Sequence, residues 1–213
     1  MLDNGARRIV VVVHDPGKPE GLNIANDIVG RAAEKLANMG IRANVDIEVI
    51  SRLEEEKALI KAGDLVYGLF LARGGHWQTI EDYTTRENAT LLGKPSPSKL
   101  GMLLSNRVNG CQHVSVVYWP AKRYRERHYA DTLEFAKSIA GGSTRLDLVE
   151  AYKLKEAEGC IVIAAMMPGR LIDRAIEYGK NVLVPFILSN KAVIDYAAND
   201  IVDKAVRTLP AYA

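Results

Sequence analysis

Short apolar runs alternate with amphipathic segments along almost the whole chain, and this alternation restricts the fold to an α/β class. Strands are predicted at residues 8–13, 45–50, 65–72, 113–119, 145–152, 160–167 and 181–188. Helices are predicted at residues 22–39, 54–62, 77–92, 99–108, 124–140, 170–178 and 190–209. Strands separated by helices form βαβ units with right-handed crossovers, so we expect parallel sheets.

The second half of the chain repeats the order of the first, which predicts two similar lobes. Residues 10–14 (VVVVH) resemble residues 115–119 (SVVYW), and a proline-containing loop follows each run. Residues 69–71 (LFL) resemble residues 185–187 (PFI) at a wider spacing, which predicts an additional strand–helix piece around residues 160–178. We expect lobes at 1–107 and 108–213, each a mostly parallel sheet flanked by helices, with a ligand cleft between them.

Composition argues against several classes of protein. The 213 residues carry a net charge of only +2, so we expect no nucleic-acid partner. No apolar run approaches the roughly 18 residues of a membrane span, and residues 1–4 do not begin a secretory signal. Cys111 and Cys160 stand apart without a CxxC motif, which favours two unpaired thiols in a cytoplasmic protein without membrane partners. The oligomeric state stays open.

Two of the four histidines follow predicted strands. His14 comes directly after the first apolar run, and His76 follows the third run after Arg73, Gly74 and Gly75. Ligands of open parallel sheets bind where the strands end. Because imidazole binds metals readily and titrates near neutral pH, the pair predicts metal or proton chemistry in a cleft.

The residues around these histidines resemble two motifs of the class II metal chelatases of tetrapyrrole biosynthesis. The first motif here is Val13-His14-Asp15-Pro16-Gly17, where that family has a strand ending in His-Gly-Ser. The second runs from Gly68 to His76 (GLFLARGGH), where the family has Pro-Leu-Phe-Leu followed by Gly-Gly-His. Together with the repeat, the motifs are most similar to double-length sirohydrochlorin cobaltochelatases.

The resemblance implies that His14 and His76 bind the incoming divalent metal and assist proton removal. Cobalt is the expected metal, although imidazole also suits Ni²⁺ and Fe²⁺. The metal would be a substrate, and no permanent cofactor is implied. We expect Trp119 and the pair Ser189-Asn190 at the equivalent positions of the second half, so that only the first half keeps histidines. Candidate carboxylates for the site, each also readable as a solvated surface residue, are Asp15, Glu20, Glu81 and Asp82.

Glycines and tryptophans near the strand ends are candidates for holding a flat macrocycle. Gly74 and Gly75 either form a turn or let a ring approach the backbone. Trp77 and Trp119 either pack in the core or line the face of a bound ring.

A basic segment at residues 122–127 is the candidate site for substrate carboxylates. Arg123 and Arg125 either belong to a solvated helix start or bind carboxylates through their guanidinium forks. His113 lies before its strand and is expected to be structural, and His128 falls in a helix where we expect it to be exposed.

Three functions remain open at this point. The favoured one is insertion of a divalent metal into sirohydrochlorin or a related tetrapyrrole. The alternative is a non-catalytic tetrapyrrole- or metal-binding protein of the same fold. A third is an enzyme that uses the histidines as acid and base on a small anionic substrate. Neither GxGxxG nor GxxxxGK[ST] occurs in the chain, so no nucleotide site is predicted.

Overall fold

Two four-stranded parallel sheets form the centre of the molecule in the computed structural model, which describes residues 7–141 and 145–209. The first sheet has the order β2-β1-β3-β4 and comprises β1 (Arg7–Val13), β2 (Ala43–Val49), β3 (Leu65–Gly68) and β4 (Thr90–Gly93). The second has the order β6-β5-β7-β8 and comprises β5 (His113–Tyr118), β6 (Arg145–Glu150), β7 (Cys160–Ile163) and β8 (Val182–Val184). The predicted two-lobed α/β fold is confirmed. Residues 1–4, considered above for a secretory signal, lie outside the described ranges.

Helices cover the faces of both sheets. They are α1 (Pro19–Asn38), α2 (Ile50–Glu54), α3 (Gly75–Arg86), α4 (Pro97–Leu104), α5 (Arg125–Ala140), α6 (Arg170–Glu177) and α7 (Lys191–Thr208). Short 3-10 helices occupy Ser105–Val108, Ala151–Glu156 and Ile187–Ser189. Among the described residues, no helix combines the length and hydropathy needed to cross a bilayer.

Strand β1 and helix α1 bury the residues that their hydrophobic patterns predict. The residues of β1 from Ile9 to Val13 are all buried, because helices cover both faces of the sheet. The buried stripe of α1 recurs at helical spacing, at Ala25, Ile28, Ala32 and Leu36. Gly40 follows the helix with a φ of +75°, a conformation that favours glycine.

The last helix of each half packs on the other lobe. Helix α4 crosses α5 so closely that a Cβ on Gly101 would lie 2.6 Å from the carbonyl oxygen of Phe135. Helix α7 packs on α1, where Arg31 Nη1 donates to Asp195 Oδ1 at 2.8 Å. One large apolar cluster therefore runs through both lobes, and a second, smaller cluster lies within the first lobe.

Equivalent hydrogen bonds relate the two halves and correct one predicted match. Leu69 N donates to the carbonyl of Val12, as Ala164 N donates to that of Val117. The counterpart of residues 69–71 is therefore residues 164–166, and the expected match to residues 185–187 was wrong. Strand β7 and helix α6 correspond to β3 and α3, so the described residues contain no additional strand–helix piece.

Several predicted boundaries were also wrong. Residues 90–93 form strand β4 instead of ending a helix, because α3 stops before Asn88, whose φ is +54°. The predicted helix at 54–62 is replaced by α2 and an irregular segment. The strand predicted at 65–72 ends at Gly68, and the apolar residues that follow it are buried in a loop. Periodicity cannot separate short buried strands from buried loops.

The two cysteines form a disulfide, contrary to the expected free thiols. Cys111 precedes β5 and Cys160 begins β7, and their Cα atoms lie 6.2 Å apart. Parallel pairing of β5 with β7 places Cys160 opposite Val114, which brings the two sulfurs together. The argument for a cytoplasmic location from unpaired thiols therefore no longer applies.

Candidate metal and substrate site

The two predicted histidines lie side by side at the carboxyl edge of the first sheet. His14 follows the last residue of β1, and His76 lies in the first turn of α3. Their ring centroids are 4.8 Å apart in an edge-to-face arrangement. Phe70 packs against both rings, at centroid distances of 4.4 Å from His14 and 6.4 Å from His76. The expected juxtaposition is present, and the roles of these residues stay predictions.

The surroundings of His14 favour its neutral form. Burial, and next the neighbouring His76, lower its pKa to about 4, although the carboxylate of Asp15 opposes this decrease. His128 from the second lobe lowers the pKa of His14 further. A neutral imidazole keeps a free lone pair, which is the form that can bind a metal or accept a proton.

Glu54 is the carboxylate nearest to the pair, and the sequence did not single it out. Its Oε1 lies 3.5 Å from His76 Nε2, at the end of α2. Asp15 accepts hydrogen bonds from the hydroxyl and the backbone N–H of Ser51, so it holds the start of α2. Over residues 7–141 and 145–209, no group of three or more histidine, cysteine or carboxylate side chains is placed to hold a metal ion.

The remaining predicted carboxylates have other contacts or none near the pair. Glu81 accepts from Trp77 Nε1 at 2.7 Å and from Arg127 Nη2 at 3.1 Å. Asp82 accepts from Gln78. Glu20 is exposed in the first turn of α1. These three carboxylates therefore make no hydrogen bond or ion pair with His14 or His76 in the described part of the chain.

His128 approaches the histidine pair from the second lobe, and its expected exposure was wrong. It lies on α5 and is partly buried, because it packs against Gly74 just ahead of His76. A Cβ on Gly74 would lie 3.0 Å from His128 Cδ2 and 3.3 Å from the Cβ of Ala121. Burial lowers the pKa of His128, against the opposing charge of Asp131.

The predicted glycines and tryptophans differ in their burial and contacts. Gly74 makes room for the second lobe, whereas a Cβ on Gly75 would meet no atom within 4 Å. Trp77 is only 4% exposed and packs under Gly68, so the expectation that it faces a macrocycle was wrong. Trp119 is 52% exposed at the end of β5. It occupies the place that His14 has in the first lobe, as expected.

The second lobe has no histidine at the other equivalent position. Gly74 and Gly169 are the N-caps of α3 and α6, so Leu171 is the counterpart of His76. Leu171 is buried. The expected counterparts Ser189 and Asn190 were wrong, because they follow β8 and not β7.

The basic segment lies beside a cavity of the second lobe. Arg123 and Arg125 are both exposed. Arg125 lines a cavity of about 420 Å³ together with Tyr118, His128 and Tyr129. Arg127 instead pairs with Glu81 of α3 and ties the two lobes together. Arg123 and Arg125 are therefore accessible to a ligand, whereas Arg127 is engaged within the protein.

Comparison with solved structures identifies two similar folds. The sirohydrochlorin chelatase SirB from Bacillus subtilis subspecies spizizenii, solved in complex with cobalt, has a TM-score of 0.64 at 13% identity. That match covers 96% of this chain and 97% of the other. CbiX, described as the terminal enzyme of siroheme biosynthesis in denitrifying bacteria, has a TM-score of 0.67 at 18% identity, covering 95% of this chain and 100% of the other.

Comparison of the whole sequence with family models and with curated proteins finds no match. The similarity therefore lies in the arrangement of helices and strands, over nearly the full length of both solved proteins. The chain has the same two-lobed fold as SirB and CbiX.

Proposed function

We propose that this protein inserts a divalent metal into sirohydrochlorin or a related tetrapyrrole, with cobalt as the expected metal. The observation that carries the proposal is the contact between His14 and His76 at the carboxyl edge of the first sheet. The shared fold supports it, since both similar structures are named for sirohydrochlorin or siroheme chemistry. In this proposal the metal is a substrate, and no resident cofactor takes part.

The site suits a metal that has to leave again. Two imidazoles hold a divalent ion less tightly than a closed cage of four ligands, so the ion can pass to the ring nitrogens. Insertion also releases pyrrole protons, which a neutral imidazole can accept. Glu54 Oε1 lies 3.5 Å from His76 Nε2 and is the carboxylate nearest to this proton transfer.

Several accessible groups suit a flat ring with many carboxylates. Trp119 offers an exposed indole at the end of β5, and the space around Gly75 is open, because an added Cβ would meet no atom within 4 Å. Arg123 and Arg125 are available as guanidinium partners for substrate carboxylates. We assign these four residues to substrate binding.

A second candidate function is tetrapyrrole or metal binding without insertion. The residues that follow His14 favour it, because Asp15 is held by Ser51 and is not free to act on a ligand.

The decisive experiment is turnover of metal-free sirohydrochlorin with added Co²⁺, followed by the change in its absorption spectrum. Insertion faster than the spontaneous reaction, and dependent on His14 and His76, supports the chelatase. Tetrapyrrole binding with no rate enhancement would support the binding protein. Absence of both tetrapyrrole binding and turnover would contradict both candidates.

A further inference from the structure

A buried carboxylate of the second lobe holds the loop that leads to His76. Asp131 of α5 is 2% exposed. It accepts hydrogen bonds from the backbone N–H of Arg73 at 2.8 Å and from Nε and Nη2 of the same arginine at 3.0 and 2.8 Å. Arg73 belongs to the first lobe, three residues before His76. A single side chain therefore fixes both the backbone and the side chain of that loop.

Lys94 extends this contact to a second point of the loop. Its Nζ lies 3.3 Å from Asp131 Oδ2 and donates to the carbonyl of Leu71 at 2.9 Å. Burial raises the pKa of Asp131, but the hydrogen bond from Arg73 and the charge of Lys94 outweigh it and leave the pKa below its ordinary value. The loop is thus tied at Leu71 and at Arg73 to one ionised group.

The same helix makes two further contacts with α3 and its N-cap. His128 packs against Gly74, which is the N-cap of α3. Arg127 Nη2 donates to both carboxylate oxygens of Glu81 at 3.1 Å. Helix α5 therefore contacts residues on both sides of His76, through Asp131 and His128 on one side and through Arg127 on the other.

We propose that Asp131 is a positioning residue, which sets the place of the His76 imidazole relative to His14 by anchoring residues 71–73 from the opposite lobe. This inference rests on the proposed function of the histidine pair. Asp131 acts through Arg73 and Lys94 and is not itself assigned to the metal or to the macrocycle. The rival explanation is that Asp131 only joins the lobes.

Two variants and one control separate these explanations. Asp131→Asn removes the charge, and Arg73→Lys keeps a cation and the backbone N–H while removing the paired guanidinium contact. The control is Asp173→Asn, because Asp173 joins the lobes through Lys18 at 2.6 Å at an exposed position. Each protein is titrated with Co²⁺ alone by calorimetry, and kcat and KM are measured with sirohydrochlorin.

If Asp131 positions His76, both variants weaken Co²⁺ binding and lower kcat by roughly 10-fold or more, as loss of a supporting contact does in metal sites. The KM for sirohydrochlorin should stay within about twofold, and the control should match wild type. Unchanged Co²⁺ affinity in Arg73→Lys, or an equal loss in Asp173→Asn, would overturn the inference.

Failure of the proposed function can be told apart from failure of this inference. If wild type neither binds Co²⁺ nor inserts it, the side-chain nitrogen resonances of His76 provide the readout. They should move in Arg73→Lys and stay in place in Asp173→Asn. Unmoved His76 resonances would reject the positioning role, whatever the function of the pair.

Discussion

At the scale of single residues, surroundings distinguish four histidines that look alike in the sequence. His113 lies at the amino edge of the second sheet, where its Nε2 is 2.7 Å from Asp147 Oδ2, in keeping with a structural role. His14 and His76 contact each other, and His128 faces the start of α3 from the other lobe. Only the histidine pair is assigned to metal binding.

Replacing either member of the pair tests that assignment. We expect His14→Ala and His76→Ala each to remove most of the insertion activity, because one ion needs both imidazoles. The double variant should lose little more than either single one, since the two residues act as a unit. Initial rates with Co²⁺ and sirohydrochlorin measure this, with His113→Ala as the control. Near-normal rates in both single variants would contradict the assignment.

The low pKa of His14 predicts acid destabilisation. The pKa is about 4 in the folded protein and 6.5 for an unperturbed histidine, so the unfolded state binds more protons between these values. The contribution of His14 to the free energy of unfolding is therefore fully present above pH 6.5. It is lost as the pH falls towards 4, by up to about 3 kcal/mol. Urea unfolding at several pH values measures the slope.

The matched variant for this measurement is His14→Gln, which cannot titrate. Its stability should fall less steeply between pH 6.5 and pH 4 than that of wild type. A residual slope is expected, because the pKa of His128 is also lowered by burial. Identical slopes in the two proteins would show that His14 is not held neutral by the fold.

The exposed arginines predict a charge-dependent KM. Reversal of Arg123 and Arg125 to glutamate should raise the KM for sirohydrochlorin, because carboxylates on the substrate would meet like charges. Both side chains are exposed, so the melting temperature should stay close to that of wild type. Reversal of the exposed Lys137 at the far end of α5 serves as the control. An unchanged KM would make the cluster an ordinary solvated surface.

At the scale of elements, the close crossing of α4 and α5 depends on a missing side chain. A Cβ on Gly101 would lie 2.6 Å from the carbonyl oxygen of Phe135 and 2.9 Å from the backbone N of Ile139. Gly101→Ala should force the helices apart and lower the free energy of unfolding by about 1–3 kcal/mol. Denaturant unfolding measures the change.

Gly30 provides the control for that substitution. It lies within α1, and an added Cβ would meet no atom within 4 Å. Gly30→Ala should therefore raise the free energy of unfolding by roughly 0.5–1 kcal/mol, since alanine favours a helix interior. Equal effects at both positions would contradict the crossing described here.

At the scale of the whole molecule, the disulfide restricts the conformations that the unfolded chain can adopt. The bond joins Cys111 to Cys160, which are 49 positions apart in the sequence, and so closes a long loop. Chain entropy predicts that reduction lowers the free energy of unfolding by about 4 kcal/mol. Urea unfolding with and without reductant tests this, and Cys160→Ser should match reduced wild type. An insensitive midpoint would show that the disulfide adds no stability.

The amino-acid sequence by itself determined the local pattern and much of the architecture. Strand-forming runs such as β1, helices such as α1, and the repeat of both halves follow from hydrophobic spacing, which local sequence encodes. His14 directly follows β1, and His76 comes after β3 in the first turn of α3, so both lie at the carboxyl edge of the same parallel sheet.

Only the tertiary structure decided which distant segments meet. The burial of Trp77 under Gly68, the contact of His128 with Gly74 and the anchoring of Arg73 by Asp131 join residues that no sequence period relates. The disulfide likewise depends on the pairing of β5 with β7. The physical reason is that such contacts arise from how whole helices and sheets pack. Here α4 of the first half packs on α5, and α7 of the second half packs on α1.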